Sequence, residues 1–335
     1  MRVLLTGGHG FIGSRVTRQL VQRGESVRCL LREKSRTRRI DDLVYERAPG
    51  DVREPATLDA AMNGVDACVH LASPSAWQDI RSNALETTII DGTRHLLDAA
   101  RRHGVRRVVF VSSVAAVNAS NEPLLFDETS PFELEGSTLR YAIAKHRAEA
   151  LCRDAAASGL ETVIVNPGEV YGPDDDDLVT AGNLRDALTS WPALACHGGN
   201  PVCHVDDVAD GIVKALDAGR SGERYVLGGD NLSVRETVSL TLELGGKRTP
   251  IVVMPTRLLK GFLALLRVLR LPTPVEPEVV DYATRFWFVD SSKAKRELGY
   301  HPRSAREALA PAVAWLYAAG HVKGSPRTPL LPTPE

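Results

Sequence analysis

Tyr141 and Lys145 stand four positions apart in the segment Tyr141-Ala142-Ile143-Ala144-Lys145. On a helix, positions i and i+4 share a face, which brings a phenol beside an ammonium. A free phenol titrates near ~10, too high to exchange protons readily at neutral pH. A neighbouring ammonium favours the phenolate, and a downward shift of ~3 units would correspond to ~4 kcal/mol. A tyrosine held this way serves as general acid in carbonyl reduction, or as base in alcohol oxidation. Ser112-Ser113 closes the apolar run that begins at Arg107 and precedes this helix. A hydroxyl at Ser113 is positioned by that order to hold a substrate oxygen beside the tyrosine.

A second constellation lies at the start of the chain, in Thr6-Gly7-Gly8-His9-Gly10-Phe11-Ile12-Gly13. Glycines between a strand and a helix allow a tight turn and a close approach of backbone to a pyrophosphate, which the free N–H groups of the helix N-terminus then receive. The second strand should end with an acidic residue if the dinucleotide is NAD, since the ribose 2′-hydroxyl needs an acceptor. It ends instead in Leu31-Arg32-Glu33-Lys34-Ser35-Arg36-Thr37-Arg38-Arg39. A guanidinium grips a 2′-phosphate through paired, charge-assisted hydrogen bonds, so NADP(H) is favoured. Glu33, one residue late for the NAD role, keeps NAD(H) possible.

Elements able to position these groups follow from the apolar pattern. Val3–Leu5, Val27–Leu31, Val65–Leu71, Arg107–Ser112 and Glu161–Asn166 read as strands. Between them, helices are expected over Phe11–Arg23, around Ile89–Ala100 and over Tyr141–Ser158. Strands that are apolar throughout and alternate with helices indicate a parallel sheet covered on both faces, a doubly wound α/β fold. After Gly172 the pattern loosens into a smaller, less regular C-terminal part, although Arg224–Leu227 reads as a strand able to rejoin the sheet. Asp174–Asp177 reads as a solvated loop. The apolar, basic segment 256–270 reads as a helix walling the substrate pocket or core.

The 335 residues suit two domains or one large one, and at 43% hydrophobic and 25% charged they can bury a sizeable core. Lys and Arg total 41 against 42 Asp and Glu, which leaves no global positive field to gather nucleic acid. Five widely spaced cysteines without a CxxC pair argue against a disulfide scaffold or a zinc site, and no metal is expected. Neither a signal peptide nor a membrane-spanning run is evident, so a cytoplasmic protein is expected.

The motifs, taken together, resemble those of the extended short-chain dehydrogenases/reductases. They are TGGHGFIG (6–13), GDV (50–52), HLAS (70–73), DGT (91–93), VFVSS (109–113), YAIAK (141–145), NPGEVYGP (166–173), HVDDVA (204–209), GERYVLGG (222–229) and SKAKRELGYHPR (292–303). Within that family the chain is most similar to the dihydroflavonol-4-reductase-like NAD(P)-dependent epimerase/dehydratase group. The resemblance implies that Gly7, Gly10, Phe11, Ile12 and Gly13 line the pyrophosphate, that Arg32 reads the 2′-phosphate, and that Arg39 falls where the reductases carry a second basic residue. It implies that Asp51 and Val52 flank the adenine, that Leu71, Ala72 and Ser73 pass the ribose, and that Pro167 through Val170 border the nicotinamide. Ser113, Tyr141 and Lys145 match the catalytic trio, with Lys145 also binding the nicotinamide ribose. Asp91 stands where the family usually carries Asn, and Thr138-Leu139-Arg140 replaces the common Ser or Pro before the tyrosine.

The expectation is a Rossmann-type domain over 1–172, rejoined by 203–229, with a substrate-binding part over 173–202 and 230–322 and a loose proline-rich tail over 323–335. Its activity would be NADPH-dependent reduction of a ketone or aldehyde on a small, fairly apolar metabolite, or the reverse, by a monomer or homodimer. The alternatives are a nucleotide-sugar 4-epimerase or dehydratase with tightly bound NAD, and a non-catalytic NADP-binding sensor.

Overall fold

The computed structural model describes residues 1–74, 84–269 and 276–326. Six strands alternate with helices through the first half: β1 (Arg2–Thr6), β2 (Ser26–Leu31), β3 (Glu46–Pro49), β4 (Ala67–His70), β5 (Arg107–Val111) and β6 (Glu161–Pro167). The later strands are β7 (Glu169–Tyr171), β8 (Ala193–Cys196), β9 (Gly199–His204), β10 (Arg224–Leu227), β11 (Asp230–Ser233) and β12 (Ile251–Met254). Seven of them form one sheet in the order β10-β6-β5-β4-β1-β2-β3, and every pairing in it is parallel. Strand order reverses between β1 and β4, and ligands of such sheets bind outside the carboxyl ends at that point. Thr6 and His70 stand there.

The inner strands are apolar on both faces because helices cover both. Phe11–Gln22 and Val205–Ala218 pack on one face, with Val16, Leu20, Val208 and Ile212 in its core. Pro55–Met62, Gly92–Arg102 and Arg140–Ala157 pack on the other, contributing Leu58, Leu96 and Ala148. Each fully buried Leu or Val stabilises the fold by about 1.5–3 kcal/mol relative to exposure.

The second half adds a sheet β11-β9-β7, a pair β12-β8, and a third core around Tyr171, Leu184, Leu309 and Leu316. Capping boxes start the helices Val234–Leu244 (Ser233 with Glu236) and Ala305–Ala318 (Ser304 with Glu307).

Two expectations change. The helix around Ile89 carries a π-helical turn, Thr87–Asp91, before Gly92–Arg102. It approaches so closely that a Cβ at Gly92 would lie 2.9 Å from Val52 Cγ2. The helix Thr256–Val268 is not a core element: Leu263 is buried, but Leu258 and Leu265 are exposed. Of the large aromatics in the C-terminal part, Trp191 is 80% exposed, whereas Trp287 is buried and stacked on Tyr282. Residue 270, the tail residues 327–335 and the Phe262 side chain lie outside the described residues.

Candidate active site

Backbone geometry explains the glycine pattern at residues 7–13. Gly7 adopts φ +73, a left-handed conformation that side chains disfavour, and Gly10 N–H donates to its carbonyl at 3.0 Å. A Cβ on Gly13 would fall 2.1 Å from that carbonyl oxygen, so the turn closes only on glycine. The helix starting at Phe11 has no side-chain cap at Gly10, which leaves first-turn amides for a ligand. His9 Nδ1, on the same turn, is buried with no hydrogen-bond partner. An open, uncapped helix end with an orphaned polar atom beside it fits a dinucleotide pyrophosphate and its neighbouring groups.

A chain of hydrogen bonds fixes the opposite wall. Ala72 N–H donates to Thr6 Oγ1 at 3.2 Å, and Thr6 Oγ1 lies 2.6 Å from His70 Nδ1. On the far side His70 Nε2 lies 3.1 Å from Thr93 Oγ1, which donates to Ile89 O at 2.5 Å. Thr93 has spent its proton on Ile89, so Nε2 carries hydrogen and Nδ1 accepts from Thr6. That single tautomer holds the Leu71-Ala72-Ser73 turn against β1. Burial pushes His70 down to about 3 from 6.5, with the Lys145 charge adding to the shift. The unfolded chain takes up a proton near 6.5 while the folded chain does not, so this histidine's stabilisation is complete above pH 6.5. It is lost as pH falls toward 3, by about 2 kcal/mol at pH 5. Urea unfolding should show this: between pH 6.5 and 5, His70→Gln loses stability less steeply than wild type by that amount. Parallel losses would remove His70 as the cause.

Tyr141 lies in the first turn of the helix Arg140–Ala157, with Ser113 and Ser73 as hydrogen-bonding neighbours of its hydroxyl. Lys145, 3% exposed, donates to Val111 O at 2.9 Å and lies 5.9 Å from the centroid of the Tyr141 ring. Burial pushes Tyr141 up to about 12, against the opposing hydrogen bonds from the two serines. It also pulls Lys145 down to about 8, partly offset by the Glu149 charge. The lowered phenol expected from the spacing is therefore corrected. Lys145 is turned to a backbone carbonyl, and desolvation of the phenolate dominates. Ser112 and Ser113 point to different duties. Ser113 Oγ accepts from Ala115 N–H at 3.2 Å at the site, while Ser112 Oγ donates to buried Glu149 at 2.6 Å.

At the adenosine end, Val52 is buried and Asp51 pairs with Arg53 at 2.7 Å, which holds its carboxyl below the usual range. Arg32 is exposed and makes no ion pair among the described residues. Arg39 is engaged elsewhere: its Nε donates to Asp174 O at 2.8 Å and its Nη2 lies 3.3 Å from Asp176. Asp174–Asp177 is a surface loop as expected, but its carboxylates form one side of an ion-pair cluster, with Arg36, Arg38 and Arg15 also engaged, and Asp175 is buried.

Pro167 ends β6 and Val170 is buried in β7. Between them Gly168 meets β9 closely, since a Cβ there would lie 2.6 Å from Pro201 O. Glu169 hydrogen-bonds with Tyr171, Asn183 and Asn200, and burial pushes its carboxyl up to about 7. His204 caps the next helix by accepting from Asp206 N–H at 3.1 Å.

Residues 3–228 match the model of the NAD dependent epimerase/dehydratase family. The chain belongs to that family. "Sterol demethylase protein B" of Methylococcus capsulatus is 33% identical, covering 96% of this chain and 100% of that protein. A "Putative dihydroflavonol 4-reductase" of Synechocystis is 32% identical over 95% of each. A farnesyl-dihydroquinoline-oxide ketoreductase of Stigmatella aurantiaca is 30% identical over 90% of this chain and 92% of that one. Among solved structures, gox2253 superposes with a TM-score of 0.84 at 34% identity, covering 96% of this chain and 99% of that one. A dTDP-glucose 4,6-dehydratase of Streptomyces venezuelae with NAD bound has a TM-score of 0.74 at 27% identity, covering 94% and 97%. The family contains reductases and epimerase/dehydratases, and this member is an enzyme of the NAD(P)-dependent oxidoreductase type. No described helix is long and apolar enough to cross a membrane.

Five residues of the site carry little signal in the sequence. His9 sits inside the glycine pattern, and Thr6 and Thr93 have no signal apart from the His70 that links them. Glu149 follows Lys145 by one helical turn, a spacing that does place it on the same face. Glu169 lies inside a quoted motif, but its contacts come from three other segments.

Proposed function

We propose that this enzyme reduces the carbonyl of a ketone or aldehyde on a small, fairly apolar metabolite, or runs the reverse oxidation, with NADP(H). The observation that carries the reading is the Tyr141 hydroxyl adjoining Ser113 and Ser73, with Lys145 Nζ 5.9 Å from its ring centroid. A protonated phenol is the form that gives a proton to a developing alkoxide. NADP(H), held by the Gly7–Gly13 turn, supplies or accepts the hydride. Ser113 orients the substrate oxygen, Tyr141 donates its proton to that oxygen, and Lys145 holds the ribose hydroxyl. Leu71, Ala72, Pro167 and Val170 wall the ribose and nicotinamide. Residues 1–172 with 203–229 serve the cofactor, and 173–202 with 230–322 serve the substrate. The five free cysteines suit a reducing cytoplasm.

NADP(H) is favoured by Arg32, the guanidinium just after β2 that has no ion-pair partner among the described residues. Arg32→Ser is expected to weaken NADPH binding by ten- to a hundredfold, about 1.5–3 kcal/mol, and NADH binding by less than twofold. Equal losses for both cofactors would place recognition of the 2′-phosphate elsewhere. Denaturing freshly purified protein and identifying released nucleotide tests the rival chemistry. NAD carried through purification would favour an internal redox cycle of the epimerase kind, and an empty site preferring NADPH favours an exchangeable hydride donor.

A further inference from the structure

The cluster joining the loop after β2 to the segment after β7 spans more than one hundred residues of sequence, and it is built rather than incidental. Asp176 uses both carboxylate oxygens, one on Arg38 at 2.9 Å and one on Arg39 at 3.3 Å. The Arg39 side chain is only 13% exposed, and its Nε is fixed by Asp174 O at 2.8 Å. Asp177 pairs with Arg36 and Asp174 with Arg15. The acidic segment cannot drift away, because buried Asp175 anchors it, accepting from Val179, Thr180 and Ala181 N–H at 3.2, 2.9 and 2.9 Å. Asp174 itself is held at φ 72, a left-handed conformation that costs energy outside glycine.

Two of these engaged arginines, Arg36 and Arg39, lie near enough to the glycine turn to act on His9. The charges of Arg32, Arg39, Arg36 and Arg47, together with burial, hold His9 below its ordinary range. His9 Nδ1 is the buried, unpartnered atom of the glycine turn. Among the described residues Arg32 has no ion-pair partner, whereas Arg39 is already paired with Asp176.

We propose that Asp176 sets cofactor discrimination by competing with the 2′-phosphate for Arg39. This rests on the reading that these arginines recognise NADP(H). A 2′-phosphate reaching Arg39 must displace the Asp176 carboxylate or be repelled by it, so preference for NADP(H) over NAD(H) is lower than the arginines alone would give. A cofactor without that phosphate leaves the ion pair intact and is indifferent to it.

Calorimetric titration of the full chain with NADP+, NAD+ and adenosine 2′,5′-bisphosphate tests this in wild type, Asp176→Asn and Asp177→Asn. Asp176→Asn is expected to tighten NADP+ and the bisphosphate by about fivefold while NAD+ changes by less than about twofold. Asp177→Asn, which removes a carboxylate paired with the exposed Arg36, is expected to leave all three near wild type. Unchanged or weaker NADP+ binding in Asp176→Asn would overturn the proposal and make Asp176 a residue that poses Arg39 for the phosphate. Equal tightening in both variants would also overturn it, since general charge would then be the cause. Equal wild-type affinity for NADP+ and NAD+, with Arg32→Ser lacking effect, would sink the cofactor reading instead. A loss in Arg32→Ser without a gain in Asp176→Asn would sink the role of Asp176 alone.

Discussion

Tyr141→Phe is expected to lower turnover of a carbonyl substrate with NADPH by about a thousandfold, within the ~10²–10⁴ that a positioned acid supplies. NADPH affinity should change by less than about twofold, since the ring remains and only the hydroxyl facing Ser113 and Ser73 is removed. Full activity in this variant would take Tyr141 out of the mechanism. The wild-type pH profile carries a second test. Tyr141 stays protonated to about 12, so the acid itself imposes no limit in the accessible range. Lys145 titrates at about 8, and its ammonium is the form that holds the ribose hydroxyl. The sign follows: kcat/KM for reduction is level below 8 and falls as pH rises through it. A profile flat to pH 10 would remove the Lys145 ammonium from holding the ribose.

What could be read in the sequence was what a residue type forces locally. Gly7 and Gly13 declare themselves because no side chain fits the turn, and the apolar strands because a sheet covered on both faces leaves no room for alternation. Tyr141 and Lys145 share a helix face by spacing alone. Their electrostatics were not legible, because desolvation depends on what surrounds the phenol and Lys145 is drawn to Val111 O from a different strand. Arg39 looked free for the same reason, its partners Asp174 and Asp176 being distant in sequence. The short edge strand β3 has no apolar run to betray it; its pattern is mostly exposed. The segment 256–270 misled in the other direction, since its leucines suggest a buried face that the fold leaves largely open.

Glu149→Gln is the substitution expected to damage both stability and catalysis. The Glu149 side chain is 0% exposed and accepts from Ser112 Oγ and Asn166 Nδ2, each at 2.6 Å, with Arg153 at 3.3 Å and Arg224 at 3.4 Å. Arg224 is itself 12% exposed and is otherwise held by the backbone carbonyls of Glu128 and Ser130. An amide in place of the carboxylate aims N–H groups at other donors and leaves a buried guanidinium without a countercharge, which costs about 3 kcal/mol. Urea unfolding measures that loss, and pairing the change with Arg224→Met should recover part of it by removing the stranded cation. Asn166 also donates to Ser113 O at 2.9 Å, so slackness at Glu149 reaches the residue that orients substrate. The pH profile separates this positioning role from simple destabilisation. Glu149 raises the Lys145 titration against burial, and without its charge the alkaline limb moves below 8. A limb that stays in place while stability drops would confine Glu149 to the fold.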